Sequence, residues 1–399
     1  MSRPPLDRAS LALVQAQLTR RTLMAGAGGV GLAAVLAACG SEPQKKTSSE
    51  RSAKDLSSTE KEVTFSNWPL YIDYNDAETK RPSLEAFEKQ TGISVKYTED
   101  INDNNEFFGK IQPQLSAGQP TGRDLFALTD WMAARLIRLG WVQKLDKSNI
   151  PNADNVVPAL ATPPWDPKRD FSLPWQSGFA FIAYNEKITK PVRNMDELLT
   201  RPDLKGKVTL LSEMRDTMGL QLLQMGVDPS KDFSNDQFMA AIDKIQQAVD
   251  YGQVRKFTGN EYAQDLAKGN IAACVAWSGD VIQLQFDDPA IKYTIPEAGA
   301  TLWADNMQIP NKASHKTNAE KLMNYYYDPE VAAEVAAWVN YICPVEGAQA
   351  AMEKIDPDLA TNQLIFPNEE TLSNAFVFRG LSEKEESTYD DAFQTLIGA

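Results

Sequence analysis

Hydrophobic and polar positions alternate through KEVTFSNW, residues 61–68, which predicts a strand. The spacing then lengthens in PSLEAFEKQTG, residues 82–92, where Leu84, Phe87 and Lys89 give a short amphipathic helix that Gly92 stops. ISVKYTED, residues 93–100, returns to alternation. The rhythm repeats as a helix near Asn105 to Ala117, the strand DLFALT (124–129), the helix WMAARLIRLG (131–140), the strand GKVTLLSE (206–213) and a helix from about Thr217. Alternating strands and helices predict an α/β fold with mainly parallel sheets.

Two stretches break the rhythm. FSLPWQSGFAFIAYNEK, from Phe171, is extended and aromatic, and YTIPEAGATLWADNMQIP, Tyr293 to Pro310, is again rich in strand and loop before the helices TNAEKLMNYYYDPE and VAAEVAAWVN. Both read as chain crossings between two α/β lobes. The expected division is 61–178 with 304–346 for one lobe and 179–303 with 347–399 for the other, and a cleft between such lobes is where a small ligand would sit.

The first sixty residues follow different rules. GAGGVG, residues 26–31, spells a dinucleotide fingerprint, but no strand precedes it. Arg20 and Arg21 stand upstream, Leu23 to Ala38 carries no charge, and the run closes on Leu36-Ala37-Ala38-Cys39. That is the layout of a secretory signal, resembling a twin-arginine leader that ends in a lipobox. Residues 1–38 are expected to be a signal peptide and Cys39 the lipidated residue. Residues 39–60, rich in Ser, Lys and Glu with Leu56 the one large apolar side chain, are expected to be a flexible tether. The protein would then sit on the outer face of the cytoplasmic membrane or in the periplasm.

Charge narrows the partners. The whole chain carries -14, and residues 1–38 hold four arginines and one aspartate, so the remainder carries -14 - 4 + 1 = -17. A nucleic-acid binder needs a basic footprint, so nucleic acid is excluded. Cys274 and Cys343 could pair in an oxidising compartment or remain buried thiols. Catalytic machinery is thin. The single histidine, His315, lies in the polar segment NKASHKTN and is expected at the solvent-exposed surface, and neither a P-loop nor a histidine-based zinc cluster is present. No cofactor or metal is expected. Glu213 and Asp216, at i and i+3, could serve a hydrolase as paired carboxylates, or they could simply be acids in the first turn of a helix.

Aromatic residues instead recur beside acidic ones after strands. Trp68 and Tyr71 stand in NWPLY, Thr129, Asp130 and Trp131 in TDW, Glu213 and Asp216 in LLSEMRD, Trp277 and Asp280 in AWSGD, and Trp303 and Asp305 in LWAD. Tryptophan faces attract cations and carboxylates hydrogen-bond ammonium groups. A ligand with methylene segments between ammonium groups would use both. A sugar could also stack on tryptophan, but it does not need several acids without compensating bases. A ferric-iron site would use adjacent tyrosines such as Tyr325, Tyr326 and Tyr327, yet successive helical residues face different directions.

In their order, FSNWPLYI, FEKQTGISVKY, LGWVQKLDKSNIPN, FSLPW, PDLKGKVTLL, AWSGD and LWADNMQIP resemble the polyamine family of bacterial solute-binding proteins, the spermidine/putrescine-binding components of ABC importers. The resemblance runs from about Val63 to the C-terminus. It implies a two-lobed periplasmic-binding-protein fold, a monomer, no catalysis, and closure on a polyamine that is handed to a membrane permease. Carried over by position, Trp68, Tyr71, Thr129, Trp131, Glu213, Asp216, Trp277, Asp280, Trp303 and Asp305 become the ligand-binding residues. Two departures stand out: Pro69 and Leu70 lie where an acid is common, and SNAFVFRG offers Phe376, Phe378 and Arg379 where an amide would contact the ligand. Both make one end of the cleft less acidic, and spermidine is expected over putrescine, with another small amine or an amino-acid derivative as the alternative.

Overall fold

The computed structural model describes residues 52–75 and 79–398; the expected signal peptide and Cys39 lie outside them. Among the described residues ten strands form one mixed sheet, eight of them neighbours in the order β2-β1-β3-β9-β4-β7-β5-β6, with β8 beside β4 and the short β10 (Ala375–Phe376) beside β9. At one end β1 (Glu62–Asn67), β2 (Ser94–Glu99) and β3 (Leu125–Thr129) run parallel. At the other, β5 (Val208–Leu211), β6 (Val254–Thr258) and β7 (Ala273–Trp277) are also parallel.

The expectation of a mainly parallel sheet needs correction at the centre. There β4 (Leu173–Asn185) and β9 (Ala300–Gln308) pair antiparallel with each other, β9 pairs antiparallel with β3, and β4 pairs antiparallel with β7 and with β8 (Ile291–Thr294). These are the two segments read as crossings. A strand that carries the chain between two parallel units joins each from its open edge, so it need not share their direction. All thirteen residues of β4 are buried, which accounts for its continuous apolar and aromatic sequence.

Local signals set most helix ends. Gly92, Gly118 and Gly140 take φ near +70° just past the helices Pro82–Thr91, Asn104–Ala117 and Asp130–Leu139, the left-handed stop that glycine permits without strain. The helix expected from Thr217 begins earlier, at Met214, because Glu213 caps it by accepting the Arg215 backbone N–H at 3.3 Å. Residues 52–60, assigned to the tether by composition, instead dock on the body: Leu56 N–H donates to Ser314 O at 2.8 Å and Asp55 takes the Thr317 hydroxyl at 2.5 Å.

His315 also departs from expectation. It is 7% exposed, with Nδ1 3.0 Å from Asp124 and Nε2 2.9 Å from Glu60. Asp124 accepts backbone N–H groups from Thr64, Ser314 and His315 as well, so the ring is drawn into a polar knot that composition does not reveal. Glu62 lies 3.8 Å from the same Nε2. Burial alone would lower the imidazole pKa, but the flanking carboxylates outweigh it and raise it. Cys274 and Cys343 are buried free thiols. Tyr326 and Tyr327 are buried packing residues: the first hydrogen-bonds Ser83 at 3.0 Å and the second donates to Pro174 O at 2.6 Å.

Candidate functional site

Strand periodicity builds the centre of the site. Thr301, Trp303 and Asp305 alternate along β9, so all three face one side of the sheet. Gly178 pairs with Trp303 in register, and a Cβ there would come within 2.5 Å of the indole ring. The glycine therefore lets Trp303 lie against β4. Gly279 does the same for Tyr341, whose ring carbons would be 2.6 Å from an added Cβ.

Each carboxylate is held by neutral donors. Asp305 accepts the Thr129 hydroxyl at 2.7 Å, and Asn104 in turn donates to Thr129 at 2.9 Å. Asp216 accepts the Trp277 indole N–H at 2.7 Å and the Thr301 hydroxyl at 3.0 Å. Asp280 takes Tyr262 at 2.6 Å, Asn260 at 2.9 Å and Tyr341 at 3.1 Å. Tyr341 joins the pieces, packing edge-on to Trp303 with centroids 5.3 Å apart and to Tyr71 at 5.6 Å. Trp131 faces the Arg215 guanidinium at 4.0 Å.

Burial dominates the electrostatics. It pushes Glu213 up to about 8, with Arg215 opposing and Asp216 and Asp103 adding to the shift. Asp305 rises to about 7 against the Thr129 and Tyr71 hydroxyls, with Asp130 and Asp216 adding repulsion. Asp216 rises to about 6 despite Trp277, Thr301 and Arg215, and Asp280 is raised by burial as well. Desolvated acids that repel one another are an unfavourable arrangement awaiting positive charge.

The structure thus brings together Tyr71, Thr129, Glu213, Asp216, Trp277, Asp280, Trp303 and Asp305, with Trp131 beside Arg215. Trp68 stands at the margin, its indole N–H donating to Ala127 O at 3.1 Å. Tyr341, Tyr262, Asn104, Thr301 and Arg215 were not identified from the sequence. Their roles depend on long-range packing, and the spacing around each carries no mark of it. Of the two departures, Leu70 is exposed with φ of 57°. Phe378 lies 3.5 Å from where a Gly219 Cβ would stand, next to Thr301, while Arg379 pairs with Glu385 at 2.5 Å. That pairing largely neutralises the arginine.

Surface depressions elsewhere, such as the one lined by Lys187, Thr189, Arg201 and Asp203, share no residue with this cluster. Among the described residues, the group Glu60, Glu62 and His315 has metal-ligand spacing.

Residues 83–366 match the family described as bacterial extracellular solute-binding protein. The chain is 26% identical over 339 residues to the spermidine/putrescine-binding periplasmic protein of Escherichia coli K12, covering 83% of this chain and 90% of that one. It is 29% identical over 344 residues to the putrescine-binding periplasmic protein SpuD of Pseudomonas aeruginosa, with 80% and 87% covered. Among solved structures, the spermidine/putrescine ABC transporter substrate-binding protein PotD of Streptococcus pneumoniae superposes with a TM-score of 0.70 at 25% identity, over 84% of this chain and 98% of that one. The TpPotD lipoprotein of Treponema pallidum superposes with a TM-score of 0.72 at 20% identity, over 85% and 100%, a likeness of two-lobed fold.

Proposed function

Because the chain belongs to the bacterial extracellular solute-binding protein family, we propose that it captures a polyamine between two lobes, spermidine in preference to putrescine, and delivers it to an ABC permease without catalysis. The lobes are drawn as 61–178 with 304–346 and 179–303 with 347–399, and Cys39 as the lipid anchor of an exported monomer. The observation that carries the reading is the convergence of Glu213, Asp216, Asp280 and Asp305 with aromatic rings, their side chains held by neutral donors. An alkyl chain bearing ammonium groups satisfies both: methylenes lie on rings, and each ammonium restores the charge that burial opposes. The relatives named for spermidine and putrescine support the same class.

A second reading has its own observation. The indole N–H groups of Trp131 and Trp303 and Nε of Arg215 are buried without acceptors, and a fully protonated polyamine offers donors only. An amine that also carries a carboxylate would supply acceptors. Calorimetric titration with spermidine, putrescine and 4-aminobutyrate separates the two: the polyamine reading requires tighter binding of spermidine than of 4-aminobutyrate, and the reverse order selects the second.

A further inference from the structure

The ligand cluster leaves one buried acid unused. Glu386 is 5% exposed and belongs to the helix Glu383–Ile397. Tyr389 of that helix stacks on Phe238 with centroids 3.9 Å apart and Phe393 packs edge-on to Phe257 at 6.0 Å, so the helix is fixed to the half of the molecule containing β5 and β6. The Glu386 carboxylate nevertheless reaches across. Its Oε2 accepts from Arg135 and Arg138, with ion-pair distances of 3.1 and 3.2 Å, and both arginines belong to the helix that follows β3 in the other half. Its Oε1 accepts from Arg215 Nη2 at 3.1 Å.

Arg215 is the cation that acts on both Glu213 and Asp216. It lies between them in the first turn of the Met214–Gln224 helix, yet its ion pair among the described residues is with Glu386. The guanidinium lies on Trp131 and hydrogen-bonds Glu386, while Glu213 acts on it through space. One carboxylate therefore holds three guanidinium groups, two from across the divide and one that would otherwise compete with a cationic ligand.

The geometry points to Glu386 as a positioning residue that clasps the two lobes and keeps Arg215 from closing into a direct ion pair with Glu213 or Asp216, so that these acids stay available to an ammonium ligand. This deepens the polyamine reading and rests on it for the second of its two effects. Removing the charge frees the cross-lobe arm and leaves Arg215 to seek the nearest acids.

The test uses E386Q, which keeps the side-chain volume, together with R135Q/R138Q and the double variant E386Q/R215Q in the mature protein. Calorimetry with spermidine is expected to show affinity reduced roughly 5- to 150-fold in E386Q, the usual span of a coupling between sites, with part of it restored in E386Q/R215Q. Restoration is the outcome that a purely structural Glu386 would not give. Small-angle scattering of the ligand-free protein is expected to show a larger radius of gyration in E386Q and in R135Q/R138Q than in wild type. That readout needs no ligand, so it stands even where the polyamine reading fails. Unchanged affinity and unchanged radius in E386Q overturn the clasp, and so does an affinity loss that R215Q does not relieve. Where E386Q does not fold, R135Q/R138Q decides: wild-type radius and wild-type spermidine dissociation rate overturn it.

Discussion

Asp305 shows what one side chain contributes. Its two hydroxyl neighbours favour the charged form, but burial outweighs them and lifts its pKa to about 7. D305N is expected to weaken spermidine binding by about 1 to 3 kcal/mol, the range for a lost charge-assisted hydrogen bond, and E213Q by a similar amount; isothermal titration reads both. The raised acids also set a pH dependence whose sign is fixed. Glu213, Asp305 and Asp216 keep their protons up to about pH 8, 7 and 6 in the ligand-free protein, and an ammonium beside them would lower all three. Binding therefore releases protons, and affinity should rise from pH 5 to pH 8. Titrations in two buffers of different ionisation enthalpy measure the release, and affinity that falls over that window contradicts the assignment. At this scale a Trp beside a carboxylate is a chemical pattern that the sequence displays, and the structure gathers most of the residues it marks. Tyr341 bears no such mark, since what seats it is the absence of a side chain at Gly279.

Elements carry the positioning. β9 places Thr301, Trp303 and Asp305 on one face through its two-residue period, and β4 accommodates Trp303 at Gly178. G279A would press a methyl group into the Tyr341 ring and loosen its bond to Asp280. Overpacking of this kind costs about 1 to 3 kcal/mol, to be read as a lower urea midpoint together with weaker spermidine binding. A wild-type midpoint would mean that Tyr341 moves aside freely. Most strands and helices followed from hydrophobic period and glycine stops. The direction of β4 and β9 did not, because a strand's own sequence is the same whichever way its neighbours run. The start of the Met214–Gln224 helix was missed for a related reason: Glu213 caps it, though its position before a charged turn marked it equally as a ligand residue.

At the scale of the whole molecule, the raised acids link stability to pH. A carboxyl whose folded pKa exceeds its unfolded value binds more protons when native, so stability falls as pH rises between the two values. Glu213, Asp305 and Asp216 place that window between about 4 and 8. Asp203 and Glu385, both lowered to about 2 by arginine and hydroxyl partners, act oppositely and only below about 4.5. The ligand-free melting temperature should therefore decline from pH 5 to pH 8, while the increment given by spermidine grows. Differential scanning calorimetry at the two pH values checks this, and an increment that shrinks at pH 8 contradicts it. Two-lobed organisation was legible from the two interruptions of the βα rhythm. The docking of residues 52–60 and the burial of His315 were not, since both depend on partners more than 190 positions away in sequence, including Ser314 for Leu56 and Asp124 for His315.

The most direct test of the central claim is a thermal-shift and calorimetric comparison of spermidine, putrescine, spermine, 4-aminobutyrate, maltose and ferric citrate against the protein at pH 8. A ligand at 100 times its dissociation constant stabilises the native state by about 2.7 kcal/mol. The account predicts that spermidine gives the largest stabilisation and the tightest binding, with putrescine next. Stabilisation by maltose or ferric citrate with none by any amine would contradict it.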